Sequence, residues 1–207
     1  MPAAEAYFIP APDIEVTTAI KRSRFIAHIA HCPDPQQAIV IIEQDKQRYP
    51  DAQHHCWAYI ACPPDSASAV RFSDAGEPSG TAGKPILNVL QHSGYGEIIC
   101  VVSRYFGGIK LGAGGLVRAY SNSTQAAIEQ LTVKKIIQRT AVTVRFPYCY
   151  ESDIRHFLDT YDVPLTDVDY QEQVIFTLEP EQDSMAETRQ LLQNICKGEL
   201  NIETLTG

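Results

Sequence analysis

Three features of specialised protein classes are missing from this sequence. No stretch approaches the roughly 18 consecutive apolar residues that a membrane-spanning helix needs. The chain does not open with a basic segment followed by an apolar run, as a secretory signal would. Its six cysteines form no close pair and stand mostly among apolar neighbours, a pattern typical of reduced, buried thiols. We therefore expect a cytoplasmic protein without disulfides and without a membrane partner.

The sequence also lacks an excess of positive charge. It has 17 lysines and arginines against 25 aspartates and glutamates, which gives a formal net charge of −8 at pH 7. A protein that coats nucleic acid without specificity is usually basic, so the composition argues against that function. The excess acidity is confined to residues 136–207, which carry 13 acids and five bases. Residues 71–118 hold five bases against three acids, so a local basic patch remains open there.

No nucleotide-binding motif is complete. A P-loop lysine precedes Ser or Thr, but Lys84 precedes Pro85. The dinucleotide fingerprint fails because Val117 stands where its third glycine belongs. The run His54–Cys56 lacks a second ligand cluster with zinc-type spacing, so we expect no metal and no cofactor.

Catalytic residues are equally hard to assign. Asp74 and Glu77 could act as an acid and base pair, and Ser79 as a nucleophile, but only their residue types support these roles. Ser79 does not stand in a G-x-S-x-G elbow, and no histidine is positioned for it. Helix caps and turn hydrogen bonds explain these residues more simply. We assign no catalytic residue and leave enzymatic activity open.

Glycine, by contrast, is concentrated within residues 71–131, where two clusters hold eight of the chain's 12 glycines. The second cluster follows an apolar run, Ile98–Ser103, that predicts a strand buried on both faces. Apolar residues at helical spacing then run from Leu116 to Leu131. Each cluster is therefore expected to deliver a helix N-terminus, whose free amides attract anions. The clusters are Gly76, Gly80 and Gly83, and Gly107, Gly108, Gly112, Gly114 and Gly115.

Cations accompany the second glycine cluster. Arg104 leaves the strand, Lys110 lies within the loop, and Arg118 is expected in the first helical turn, where a positive charge is best explained by a nearby anion. Two alternatives stay open. In one, the glycines serve turns only, and the arginines pair with carboxylates such as Asp74 or Glu77. In the other, an exposed apolar tip binds a protein; its residues are Tyr105, Phe106 and Ile109.

The element pattern predicts an α+β chain of two domains, residues 1–135 and 136–207. In the first domain an extended lead-in is expected, and Lys134 and Lys135 indicate a helix end and the domain boundary. Its other elements are two strands at Ile14–Ile20 and Arg24–Ala30 joined by a basic turn, a helix from Pro35 to Tyr49, a hairpin of His55–Ala61 and Ala69–Ser73, and a helix from Pro85 to Ser93.

The second domain is predicted to have the order βαββαβ, which is the ferredoxin-like plan. Its apolar residues suit a sheet with two helices on one face, and its acidic loops suit a solvated surface. The predicted elements are strand 139–146, helix 150–161, strands 163–169 and 173–179, helix 181–196 and strand 199–205.

Three motifs resemble the YigZ/IMPACT family. They are Asp74–Leu87 (DAGEPSGTAGKPIL), Val101–Tyr120 (VVSRYFGGIKLGAGGLVRAY) and Lys21–Phe25 (KRSRF). The resemblance covers roughly residues 10–131 and implies a first domain like the second domain of ribosomal protein S5, followed by a ferredoxin-like domain. It transfers no catalytic residue. The motif positions that it offers for phosphate or nucleic-acid binding are Arg71, Lys84, Arg104, Tyr105, Gly107, Gly108, Lys110, Gly112 and Arg118.

The resemblance also implies a role in translation. The implied domain pair is similar to the last two domains of the translocating elongation factor, and eukaryotic members of the family act in translational control. We therefore predict a cytoplasmic, translation-associated regulator that binds RNA or the ribosome, with no signal specific to DNA. The alternatives are a protein-binding regulator of a translation or stress factor and an enzyme acting on a phosphorylated small molecule.

Overall fold

The computed structural model describes residues 6–64, 66 and 68–204, and the chain divides into two compact units. One unit spans Tyr7–Ile136, and the other comprises the residues before Tyr7 and those from Ile137 onward, which places the boundary one residue beyond the predicted one. Both contain helices and sheets, which confirms the α+β class. Among the described residues, no helix is long and apolar enough to cross a membrane.

The unit Tyr7–Ile136 is built on a five-stranded sheet in which all neighbouring strands are antiparallel, in the order β2-β3-β6-β4-β5. Its elements in chain order are β1 (Tyr7–Pro10), β2 (Ile14–Ile20), β3 (Ser23–His31), α1 (Pro35–Arg48), β4 (His54–Ile60), β5 (Val70–Ser73), α2 (Gly83–Ser93), β6 (Ile98–Tyr105), α3 (Ala113–Ile128) and β7 (Val133–Ile136).

The central strand β6 is covered on both faces, as its apolar run predicts. Ile98, Cys100 and Val102 pack with α2 and α3, whereas Ile99 and Val101 pack with α1 on the opposite face. Alternate residues of a strand point to opposite faces, so a strand with a helical layer on each side must be apolar throughout. This placement brings the end of β6, where the second glycine loop starts, next to the N-terminus of α3.

Helix α1 begins where the sequence indicates. Asp34 is its N-cap and accepts a hydrogen bond from the N–H of Gln37 at 2.8 Å, and Pro35 occupies the first helical position. Near the other end, buried Asp45 accepts from Nδ1 of His28 on β3 at 2.9 Å. The helix is therefore fixed to the sheet by a polar pair as well as by apolar packing.

A second, two-stranded sheet joins the ends of this unit. Strand β1 pairs with β7 in antiparallel register, with Ile9 opposite Lys134. The extended lead-in is thus a strand, and Lys134 and Lys135 lie within a strand rather than at a helix end, because α3 already stops at Ile128. Strands paired across more than 120 residues cannot be recognised from local sequence patterns. For this reason the prediction of a helix end at Lys134 and Lys135 was wrong.

The second unit has the predicted βαββαβ order, and its sheet order β11-β8-β10-β9 is antiparallel throughout. Most elements start or stop one to four residues inside the predicted limits, but β8 ends at its predicted last residue and β9 extends one residue past it. Position 205 of the predicted last strand lies outside the described residues. They are β8 (Val142–Phe146), α4 (Glu151–Thr160), β9 (Leu165–Tyr170), β10 (Val174–Leu178), α5 (Met185–Ile195) and β11 (Asn201–Thr204).

The His28–Asp45 pair makes stability depend on pH. Burial lowers the pKa of His28, but the hydrogen bond to Asp45 and the charges of Asp45 and Asp13 outweigh it and hold the pKa above its ordinary value of 6.5. The protonated ring is therefore favoured by folding, and its contribution is complete below pH 6.5 and is lost as the pH rises through the folded-state pKa.

We expect His28→Gln to destabilise the protein by about 1.5–3 kcal/mol below that pH, the usual worth of a hydrogen bond to a charged group, and by less at high pH. Urea unfolding below pH 6.5 and at high pH measures the free energy of unfolding of the variant and the parent protein. The control is His156→Gln, which alters an exposed histidine. Equal losses at both pH values would show that protonation of His28 contributes nothing.

Candidate functional site

The first glycine loop, residues 74–83, is folded around the carboxylate of Asp74. This side chain accepts hydrogen bonds from the backbone N–H groups of Gly80 at 2.8 Å, Ala82 at 2.9 Å and Gly83 at 2.8 Å. Burial alone would raise the pKa of Asp74, but the three N–H groups stabilise the ionised form and hold the pKa below its ordinary value. Asp74 is therefore an internal cap of this loop.

The start of α2 is closed as a result. The N–H groups of Ala82 and Gly83 already bind Asp74, and Pro85 has no N–H to offer. Gly83 also packs directly on β5, since a Cβ there would lie 2.7 Å from the carbonyl carbon of Ser73. The expectation that both glycine loops present open helix N-termini therefore fails for the first loop, where a carboxylate of the chain occupies the anion position.

The second glycine loop, residues 106–112, leads to an open helix N-terminus. Gly112 is the N-cap of α3, with φ of 72°, and it has no side chain to cap the helix. Among the described residues, nothing accepts a hydrogen bond from the N–H groups of Ala113, Gly114 and Gly115. Because these residues are small, the three amides are not covered by their own side chains.

A basic turn lies against this loop. Lys21 and Arg22 connect β2 to β3 with φ of 45° and 67°, and both side chains are exposed. A Cβ on Gly107 would come within 2.0 Å of the Arg22 carbonyl oxygen, so only glycine allows this contact. The N–H of Gly107 also donates to the Ser23 hydroxyl at 3.2 Å. The sequence reveals the basic turn but not its position beside the loop.

Arg104 is buried beneath the second loop and paired with a carboxylate of the first. Its Nη1 donates to Oε1 of Glu77, which also accepts from the Tyr120 hydroxyl of α3 at 2.9 Å. The side chains of Arg104 and Glu77 are 7% and 3% exposed. The ion pair considered from sequence is therefore present for Glu77, and it connects β6, the first loop and α3.

An open cavity of about 410 Å³ lies where these elements meet. Three of the predicted binding residues line it, namely Arg104, Lys110 and Gly112. The rest of the wall is partly apolar and partly polar; it consists of Phe106, Leu111, Leu116, Ala113, Pro78, Gln53, His54 and Glu77. The cavity therefore combines apolar and polar side chains, a lysine that forms no ion pair with a described residue, and the open end of a helix.

The remaining predicted residues do not line this cavity. Arg71 lies on β5 and donates to the carbonyl of Val70, and Lys84 is exposed at the closed start of α2. The Tyr105 ring faces Arg24, whose guanidinium carbon lies 4.2 Å from the ring centre. Arg118 is exposed in the second turn of α3, not the first, because the helix starts at Ala113.

The two glycines between Phe106 and Ile109 differ in what they require. Gly107 is needed for close contact with the basic turn, whereas Gly108 has open space around it and φ of 82°. Gly108 is thus required by backbone conformation alone. Neither contributes a side chain to the cavity, so their part in the site is to shape the loop.

Comparison with known proteins agrees with the motifs. A family model described as the Impact N-terminal domain matches residues 21–128, just over half of the 207 residues. The chain belongs to the IMPACT family. The IMPACT family member YigZ of Escherichia coli (strain K12) is 39% identical over 198 residues, which cover 96% of this chain and 97% of that protein.

Other IMPACT family relatives cover less of the chain. The member YvyE of Bacillus subtilis (strain 168) is 35% identical over 171 residues, 83% of this chain and 78% of that protein. Protein IMPACT-B of Xenopus tropicalis is 31% identical over 120 residues, 53% of this chain and 37% of that protein. A crystal structure of a hypothetical protein aligns with a TM-score of 0.67 at 39% identity and covers 98% of both chains. Membership of the IMPACT family supports a role of the translation-regulator kind.

Asp74 is predicted to be essential for the stability of the first loop. In Asp74→Ala the N–H groups of Gly80, Ala82 and Gly83 lose their acceptor. Because loss of a single N-cap bond costs about 0.5–2 kcal/mol, we expect about 2 kcal/mol or more in urea unfolding. The matched control is Asp51→Ala, an exposed aspartate expected to cost less than about 0.5 kcal/mol. A similar decrease in the free energy of unfolding in Asp74→Ala and Asp51→Ala would contradict the capping role of Asp74.

Proposed function

We propose that this IMPACT family protein is a cytoplasmic, translation-associated regulator that binds RNA or ribosomal phosphates through the second glycine loop. The observation that carries the proposal is the open N-terminus of α3. Three adjacent N–H groups there lack a partner among the described residues. Such a cluster of donors, with the positive end of the helix dipole, is suited to a phosphate group.

Exposed cations lie on the second glycine loop, on helix α3 and on the turn that contacts the loop. We define the second-loop surface as Lys21, Arg22, Phe106, Lys110 and Arg118 together with the first residues of α3. None of its four cations forms an ion pair with a described residue, so their charge is available to a polyanion. Phe106 is 47% exposed and offers an aromatic face on which a base can stack.

The second unit is a poor candidate for the same role. Its open sheet face carries Asp167, Asp169 and Glu203 against one cation, Arg145, and the register places all four on that face. Carboxylates repel the phosphate backbone, so binding is expected on the unit Tyr7–Ile136. The uneven charge explains how a chain with a net charge of −8 can contact RNA.

A protein partner is the second candidate function. Phe106 and Ile109 are 47% and 41% exposed, and both belong to the second glycine loop. Exposed apolar side chains rimmed by charge are typical of a recognition surface. A capture experiment with Ile109→Ser separates the two functions, because Ile109 offers neither charge nor an aromatic ring to RNA. Loss of a protein partner with intact RNA binding would favour this second function.

Salt dependence of ribosome binding tests the lead proposal. Contact with about three phosphates predicts a log-log slope of affinity against salt near −2 for single strands. Removing two cations in Lys110→Ala with Arg118→Ala is expected to flatten the slope by about 1.4. Co-sedimentation with purified ribosomes over a salt series gives both slopes.

The matched control is Arg71→Ala with Lys84→Ala, which removes the same charge near the closed first loop. A loss of binding in this control alone would move the interface away from the second-loop surface. Arg104 is unsuitable as a probe, because its removal strands buried Glu77 at a cost of about 3–5 kcal/mol. No association at any salt concentration would overturn the ribosome proposal.

Ala113→Asp tests the helix N-terminus without removing a cation. A carboxylate in the first turn interacts favourably with the helix dipole, so the variant is expected to gain about 0.3–1 kcal/mol in stability. The same carboxylate occupies the proposed phosphate position, so RNA binding should fall at least tenfold, a difference of about 1.4 kcal/mol. Thermal unfolding and RNA titration measure the two effects. Ala113→Ser is the control, since it is close in size and uncharged. Unchanged RNA binding by the Asp variant would contradict the proposal.

A further inference from the structure

We propose that the cavity beside the second glycine loop is a site for one nucleotide, either as part of an RNA strand or as a free nucleoside monophosphate. The inference rests on the proposed function and specifies the ligand of the same surface. Its volume of about 410 Å³ is within the range of about 300–1,000 Å³ for small-molecule sites. The size therefore suits a single nucleotide rather than a folded RNA element.

One side of the cavity suits the phosphate. Gly112 and Ala113 line it at the start of α3, and Lys110, two residues before Gly112, lines it as well. The N–H of Ala113 points out of the helix end without a partner among the described residues. Open amides and a lysine ammonium together provide the donors and the positive charge that a phosphate monoester requires.

The inner wall of the cavity holds a buried cation whose hydrogen bonds are incomplete. The Arg104 guanidinium has five N–H donors, but within the described part of the chain only one donor finds an acceptor, Oε1 of Glu77. Its Nε is buried and has no partner among the described residues. The Arg104 side chain is only 7% exposed, and it lines the cavity. Nη2 also has no acceptor among the described residues and is not among the fully buried unpaired atoms, so a ligand that brings an acceptor to the cavity wall would be favoured.

Glu77 adds an acceptor next to this donor. Its Oε1 binds Arg104 and Tyr120, whereas Oε2 has no hydrogen bond among the described residues. The polar edge of every nucleobase presents donors beside acceptors, which complements an arginine next to a carboxylate. Arg104 and Glu77 together would thus hold a nucleobase without selecting strongly among the four bases.

The third component is a stacking surface. Phe106 lines the cavity, is 47% exposed, and has the Arg104 guanidinium carbon 5.6 Å from its ring centre. An aromatic ring with an exposed face stacks on any base, and the contact is worth about 1–3 kcal/mol, or roughly five- to 150-fold in affinity. Phosphate donors, a hydrogen-bonding pair and a stacking ring therefore surround one cavity of suitable size.

The test compares ligands and matched variants by titration calorimetry. The ligands are the four nucleoside monophosphates, inorganic phosphate and a short RNA oligonucleotide. We expect the monophosphates to bind more tightly than inorganic phosphate and to compete with the RNA. Phe106→Ala should weaken nucleotide binding roughly tenfold. Phe72→Ala, which removes a 46% exposed phenylalanine of β5 outside the cavity, should change nothing.

The outcomes separate this inference from the proposed function. Salt-dependent RNA binding with no binding of monophosphates and no effect of Phe106→Ala would overturn the one-nucleotide site and leave the RNA proposal standing. Monophosphate binding that Phe106→Ala weakens, without RNA or ribosome association, would support the site with a free nucleotide as its ligand and overturn the RNA proposal. Inorganic phosphate bound as tightly as the monophosphates would reduce the cavity to an anion site and overturn the inference.

Discussion

The buried ion pair between Arg104 and Glu77 is the interaction on which the geometry of this surface depends. Arg104 is the penultimate residue of the central strand, Glu77 belongs to the first glycine loop, and the Tyr120 hydroxyl of α3 donates to the same carboxylate oxygen. Three elements distant in sequence are thus held at one point. A buried pair stabilises only when each charge keeps its partner, so the position of the first loop sets the position of the arginine beneath the second.

The two glycine loops both lead into a helix but differ in the electrostatics of the helix start. In the first, Asp74 supplies the negative charge to the N-terminus of α2, and the loop becomes a rigid structural element. In the second, the N-cap Gly112 has no side chain, no carboxylate of a described residue reaches the helix start, and the N-terminus of α3 stays open. The first loop therefore serves stability, while the second exposes backbone N–H groups that have no acceptor among the described residues. Backbone N–H groups without hydrogen-bond acceptors break a general rule of folded proteins, and such exceptions are expected at functional sites.

Local sequence patterns were sufficient for most of the fold. The apolar run of β6, the Asp34-Pro35 helix start and the alternating strands of the second unit are properties of neighbouring residues, and each is observed. The pairing of β1 with β7 was missed because it joins residues at opposite ends of the unit. For the same reason, sequence offered Glu77 as one partner among several but could not place Lys21 and Arg22 beside Gly107. Glycine spacing indicated two helix starts, whereas the reach of the Asp74 side chain decided which one remained open.

The turn at Lys21 and Arg22 places two exposed cations in a backbone conformation that is unfavourable for long side chains. Two-residue hairpin turns with both residues at positive φ favour Asn-Gly, because branched or long side chains are strained there. This chain instead places two cations in that conformation, at φ of 45° and 67°, and the contact with Gly107 holds them in place. Part of the folding free energy of β2 and β3 therefore maintains two exposed cations in an unfavourable backbone conformation, and the pair is fixed in position before any ligand binds.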